Sequence, residues 1–186
     1  MESACLDFIN SEFRDLRGRW IRDYLLEPTW LERFLTQWNL QVSEAASPEI
    51  ITDLLALRKF LRGLIERLST GPLTPEDMTA LNSIMHKAPV KRSLNYWHGS
   101  YQLELAPQLR DWRWVQAEIA ASFVELLTQH DPRNIKICEN SDCLAVFYDE
   151  SRSHTRRFCT SDKCANLLKV RRFRARHQRS ASVSIS

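Results

Sequence analysis

The sequence predicts an α+β protein, mainly α. An N-terminal helical domain with a small antiparallel β-hairpin is followed by a treble-clef-like cysteine module that ends in a basic helix. Three observations carry this. Apolar residues recur at helical spacing through most of residues 28–130. Residues 94–105 alternate instead. Two cysteine pairs of equal inner spacing, C-x4-C-x15-C-x4-C, precede an arginine-rich run over residues 169–179.

The 186 residues, 44% hydrophobic, suffice for one ordinary core and a small appended module. No apolar run approaches the roughly 20 residues of a membrane span. Residues 1–5 lack the basic and apolar regions of a signal peptide. A cytoplasmic protein with no membrane partner is expected. In that compartment clustered thiols are metal ligands more often than disulfides. The net charge of +3 is unevenly spread: residues 1–130 hold 14 Lys+Arg against 17 Asp+Glu, and residues 131–186 hold 12 against 6. A mildly acidic body and a basic end point to a polyanionic partner for the latter.

In chain order, Leu6, Phe8 and Ile9 interleave with Asp7 and Asn10, as a short strand or a first helical turn; periodicity does not decide. Residues 14–22 are charged and read as solvated. Pro28 opens a helix with Leu31, Phe34, Leu35 and Trp38 on one side. Residues 39–47 read as a loop. Pro48 opens a longer helix whose apolar face is Ile51, Leu54, Leu55, Leu61, Leu64, Ile65 and Leu68, with Arg58, Lys59, Arg62, Glu66 and Arg67 on the wet side. Gly71-Pro72 breaks it. Thr74-Pro75-Glu76-Asp77 starts the next, with a cap, a proline in the first turn and carboxylates at the positive helix end. Met78, Leu81, Ile84 and Met85 form its expected buried stripe. Residues 94–96 and 101–105 pair as a hairpin across His98-Gly99-Ser100, and Pro107 ends it. Trp112, Val115, Ile119, Phe123, Leu126 and Leu127 mark a last amphipathic helix that closes at His130-Asp131-Pro132. The expected domains are residues 1–130 and a cysteine module over 133–179. A serine-rich tail over 180–186 lacks the bulk to pack and is expected to be disordered.

Four thiolates, Cys138, Cys143, Cys159 and Cys164, match a tetrahedral zinc site. Asn140-Ser141-Asp142 supplies turn chemistry that folds the first pair onto one ion. Residues 144–148 read as a strand. Thr160 or Ser161 caps a helix with Cys164 in its first turn, where the positive helix end favours a thiolate. Two disulfides are the competing reading, which a cytosolic setting disfavours, and iron–sulfur clusters use other spacings. Four filled positions leave none open for catalysis, so Zn2+ here is structural. His154 and His177 are surplus to the tetrahedron.

Ten Lys+Arg and one acid, Asp162, lie between residues 152 and 179. Such density attracts phosphates. Arg152, Arg156, Arg157, Lys169, Arg171, Arg172, Arg174 and Arg176 are the candidate nucleic-acid contacts. The competing reading is that Arg156, Arg157 and Lys163 offset the net negative charge of a four-thiolate site, the later arginines pairing with the acidic body or staying solvated.

The run Cys138-x4-Cys143, Phe147-x-Asp149-x-Ser151-Arg152, Arg156-Arg157-Phe158-Cys159, Cys164-Ala165-Asn166 and Lys169-Val170-Arg171-Arg172-Phe173-Arg174-Ala175-Arg176 resembles the bacterial CGNR zinc finger. Leu6-Asp7-Phe8-Ile9-Asn10, the helix with Trp38, Leu81-Asn82 and the last helix before the first cysteine resemble the ABATE domain that precedes it. The resemblance implies a stress-response transcription regulator whose finger binds DNA. The signature Cys-Gly-Asn-Arg stands here as Cys164-Ala165-Asn166-Leu167, so the signature arginine is missing from the basic surface.

The N-terminal domain is the available place for an input, a small-molecule or protein effector. Asp7 and Asn10 are candidate ligand-binding residues, against a plainer role in capping or bonding backbone. Cys5 reads as a core residue rather than a reactive thiol. No catalytic constellation stands out, and the protein is expected not to be an enzyme. The leading expectation is a zinc-containing, DNA-binding regulator. The alternatives are a zinc-stabilised protein-interaction adaptor and an RNA-binding module. Readers of symmetric duplex sites are commonly dimers; a homodimer suits that partner, although no heptad marks a seam.

Overall fold

Helices make up about half of the structure, and among the described residues the strands form three two-stranded sheets. A computed structural model describes residues 2–183, with the side chains of residues 175, 176 and 178–183 outside the described set. In chain order the elements are α1 (Ala4–Ile9), β1 (Glu12–Arg14), β2 (Ile21–Asp23), α2 (Pro28–Gln37), α3 (Pro48–Leu68), α4 (Pro75–Met85), β3 (Val90–Trp97), β4 (Ser100–Pro107), α5 (Trp112–Gln129), β5 (Ile135–Ile137), β6 (Val146–Tyr148) and α6 (Asn166–Val183). They divide into two compact units. Residues 2–11 and 23–133 form one, and residues 12–22 and 134–183 the other.

In the first unit the apolar stripes of the sequence become one core. Phe8 and Ile9 of α1, Phe34 of α2, Leu54, Leu61, Leu64 and Ile65 of α3, and Val115, Ile119 and Phe123 of α5 are buried completely or nearly so. Each such side chain stabilises the fold by about 1.5–3 kcal/mol. The ambiguous opening stretch is helical, because Leu6 and Ile9 stand three apart and both face inward. Two expectations need correction. Arg58 is not on the wet side. It lies four residues after Leu54 and three before Leu61, so it shares the core face, and it is buried. Its guanidinium donates to both carboxylate oxygens of Asp23 at 2.6 and 2.5 Å and to Ser11 Oγ at 2.9 Å, which makes the burial tolerable. Met78 is exposed, and of the expected α4 stripe only Leu81 is fully buried. Thr74 and Asp77 cap α4 reciprocally.

β3 and β4 pair antiparallel, with Leu94 opposite Leu103 and Tyr96 opposite Tyr101. The connection is two residues, His98 and Gly99, with φ of 49° and 81°. That is the type I′ turn whose twist matches a hairpin, and glycine occupies it without strain.

In the second unit β5 pairs antiparallel with β6, Ile135 opposite Tyr148. The strand before Cys138 was not foreseen. Asp149, fully buried, follows β6 and organises the loop beyond it. Its carboxylate accepts from Lys136 Nζ at 2.7 Å, from Ser151 N and Oγ at 3.0 and 2.6 Å, and from Arg156 N at 2.8 Å. Burial alone would raise this carboxyl; the donors outweigh it and hold it well below the usual carboxylate range. α6 runs past Arg179 into the serine-rich tail as far as Val183, since no Gly or Pro stops it, and residues 184–186 lie outside the described residues.

A depressed carboxyl contributes stability above its unfolded value near 4, and that stability is lost as pH falls through the folded value. Acid unfolding of the second unit should therefore show a component that Asp149→Asn removes, read by hydrogen exchange of β5 and β6 across a pH series. Lys136→Met removes a hydrogen bond to a buried charge and should destabilise this unit by about 1.5–3 kcal/mol in denaturant melts.

Candidate metal centre and basic helix

β5 delivers Cys138 to the end of the ladder, where its N–H donates to Ala145 O at 2.8 Å. The expected turn then forms around Asn140. Its carbonyl accepts from Cys143 N at 2.8 Å and Leu144 N at 3.1 Å, and its side-chain oxygen from Asp142 N at 3.3 Å. Leu144 takes a positive φ of 53° to rejoin β6. The second pair sits at the start of α6. Thr160 Oγ1 accepts from Cys164 N at 3.3 Å, and Ala165 N reaches back five residues to Thr160 O at 3.2 Å. This wide first turn, Ser161–Ala165, carries Cys164 inward until its side chain is wholly buried.

The four sulfurs lie within 4.8 Å of one another, and Cys159 Sγ stands 3.7 Å from both Cys143 Sγ and Cys164 Sγ. None is in a disulfide. Sulfurs at the corners of a tetrahedron, each about 2.3 Å from a central ion, stand about 3.8 Å apart, so the spacing fits a metal ion. Among the described residues this is the only cluster of three or more His, Cys, Asp or Glu side chains so placed. Its electrostatics agree. Hydrogen bonding from the Cys143 and Cys159 thiols draws the Cys138 thiol down, while the same contacts push Cys143 and Cys159 up. Four thiolates this close require a cation. Asn140, buried beside them, directs Nδ2 toward Cys164 Sγ at 3.6 Å.

The candidate nucleic-acid residues fall into two groups. Arg156 and Arg157 are exposed but engaged by partners within the module. Arg156 lies over the Phe147 ring at 5.1 Å and donates to Cys159 O at 2.5 Å. Arg157 lies over Phe158 and forms a two-pronged ion pair with Glu139. Arg152 is exposed on the loop after β6, and Lys169, Arg171, Arg172 and Arg174 are exposed on α6. Arg171 also bonds Asp142 Oδ2 at 2.8 Å. The Arg176 side chain lies outside the described residues.

Residues 14–22, read from the sequence as solvated charge, belong to this unit as part of the segment 12–22. β1 pairs with β2, and the turn between them packs on the cysteine module. Leu16 covers the cysteine cluster, and its carbonyl accepts from Asn140 Nδ2 at 3.1 Å. Gly18 has a φ of +73°, and a Cβ there would stand 2.9 Å from Asp142 Oδ1. Asp15 is buried and ion-paired to Arg19 at 2.7 Å. Between this turn and α6 runs a groove of about 570 Å³, with the cations Arg17, Lys163, Arg171 and Arg174, the acids Asp15 and Asp162, and Leu167 on its wall. Arg17 was missed. The signal was present as a glycine and a leucine interrupting a charged stretch.

In the helical unit Asp7 accepts from Trp38 Nε1 at 3.0 Å, and Asn10 caps the end of α1. Burial pushes the Cys5 thiol up, away from reactivity. Two apolar cavities open here, about 890 Å³ beside Met78, Leu81 and Leu127, and about 640 Å³ beside Leu31, Ile51 and Trp112. Among the described residues no helix is long and apolar enough to cross a membrane.

Comparison with known proteins gives two family matches, the CGNR zinc finger over residues 134–177 and ABATE, described as "Putative stress-induced transcription regulator", over residues 2–130. No curated protein matches the chain. With the longer match covering more than half of its length, the chain belongs to the ABATE family, and it carries the CGNR zinc finger after that domain.

Proposed function

We propose that this protein is a zinc-containing transcription regulator that docks on duplex DNA through its cysteine module. The observation that carries the reading is that Cys164 and the cations Lys169, Arg171, Arg172 and Arg174 share one continuous helical run. A metal at the sulfurs therefore orients the basic surface directly. Cys138, Cys143, Cys159 and Cys164 hold Zn2+, whose contribution is structural: it joins the β5–β6 turn to the start of α6. Arg17 extends the cationic surface into the groove, where Leu167 replaces the signature arginine. The role is non-catalytic. The helical unit supplies the input, and its two cavities fall within the usual size range for small ligands. The adaptor reading gains from one fact, that Arg156 and Arg157 are engaged within the module.

Removing the metal with a chelator, or Cys159→Ser, should unfold the second unit while the helices of the first persist, because in so small a module metal binding is folding free energy. Unchanged protease resistance of residues 134–177 after metal removal would reject this. For DNA, the expected affinity of the zinc-loaded protein for duplex falls steeply with salt. Replacing Arg171, Arg172, Arg174 and Arg176 together by alanine should weaken binding at least tenfold and flatten the salt slope. Arg17→Ala should lower that slope by about one. Binding that ignores salt and these substitutions would favour the adaptor instead.

A further inference from the structure

The β3–β4 hairpin carries a surface that no other element covers among the described residues. Strand alternation puts Val90, Leu94 and Tyr96 of β3 on one face with Tyr101, Leu103 and Leu105 of β4. All six are exposed, Leu94 by 72%, Tyr101 by 76% and Leu103 by 67%. The opposite face is mostly polar, with Lys91, Ser93, Asn95, Gln102 and Glu104, and Asn95 donates to Glu104 across the strands. An amphipathic two-stranded ribbon with its apolar side in water is marginal by itself; it needs a further layer.

We propose that this face is the dimer interface, and that it packs against the same face of a second copy of the chain. Two features favour a second copy over a foreign partner. The first is area. By their fractional exposures the six residues leave on the order of 800 Å² in water, which is about what each partner contributes to a stable interface. The second is self-complementarity. Along the face the cation Arg92 lies toward the base of the hairpin, and the Tyr96–Tyr101 pair, with ring centroids 5.0 Å apart, lies at its tip. Two such faces related by a two-fold axis, with hairpins antiparallel, bring the leucines of both copies together at the centre. The same operation sets each Arg92 against the tyrosines of the other copy, a favourable cation–ring arrangement. The proposal does not depend on DNA binding.

Sedimentation of the zinc-loaded full chain tests this. The expected result is a dimer at micromolar concentration, with Leu94→Glu plus Leu103→Glu raising its dissociation constant at least 100-fold. Ser93→Glu plus Gln102→Glu places the same charge on the polar face of the same hairpin and should leave the dimer intact. If both double variants dissociate alike, general damage to the hairpin is the cause and the face assignment fails. Leu103→Cys gives a second readout: mild oxidation should produce a covalent dimer, and Gln102→Cys should not. A wild-type monomer at 100 μM, or a dimer indifferent to the Leu94 and Leu103 changes, would overturn the proposal. The former would leave the face to a different partner.

Discussion

Four sulfurs within 4.8 Å of one another is the arrangement on which the rest of the second unit depends. Thiolates so close repel one another. A cation reverses that balance and turns repulsion into a four-way tether. Everything nearby serves the tether. β5 and β6 set the spacing of the first pair, the Asn140 turn closes it, and the wide turn under Thr160 aims Cys164 back at it. Asp149 stiffens the intervening loop with donors from three residues, so that Cys159 returns at the right height.

Legibility followed physical locality. The cysteine spacing, the Thr74 capping box, the prolines that open α2 and α3, and the His98-Gly99 turn all announce themselves within a few residues, and each stands where its chemistry requires. What stayed hidden was long-range. Arg58 looks like a surface cation until Asp23, 35 residues away, supplies a bidentate partner. Lys136 and Asp149 give no sign of their pairing until the strands that carry them are side by side. Residues 14–22 look solvated because their counterparts, Asn140 and Asp142, come more than a hundred residues later.

The division of the candidate arginines has the same origin. Composition treats ten cations alike, whereas geometry separates them. Those flanking Cys159 are committed to Phe147, Phe158 and Glu139. Lys169, Arg171, Arg172 and Arg174 on α6 are exposed. The cysteine cluster and the exposed side of α6 thus use different arginines, and a change in one set need not disturb the other. Leu167 belongs to neither; it lines the groove as an apolar wall.

The membership of residues 12–22 in the second unit has a consequence in time. The turn that carries Leu16 leaves the ribosome well before Cys138 is synthesised. At about 5–20 residues per second that interval is on the order of ten seconds. During it α1 to α4 emerge, while the intervening segment waits without its partner. Completion of the cysteine module therefore comes after the residues of the helical unit have been made. A protein caught before it would have a finished helical body, an uncovered turn and no organised basic helix.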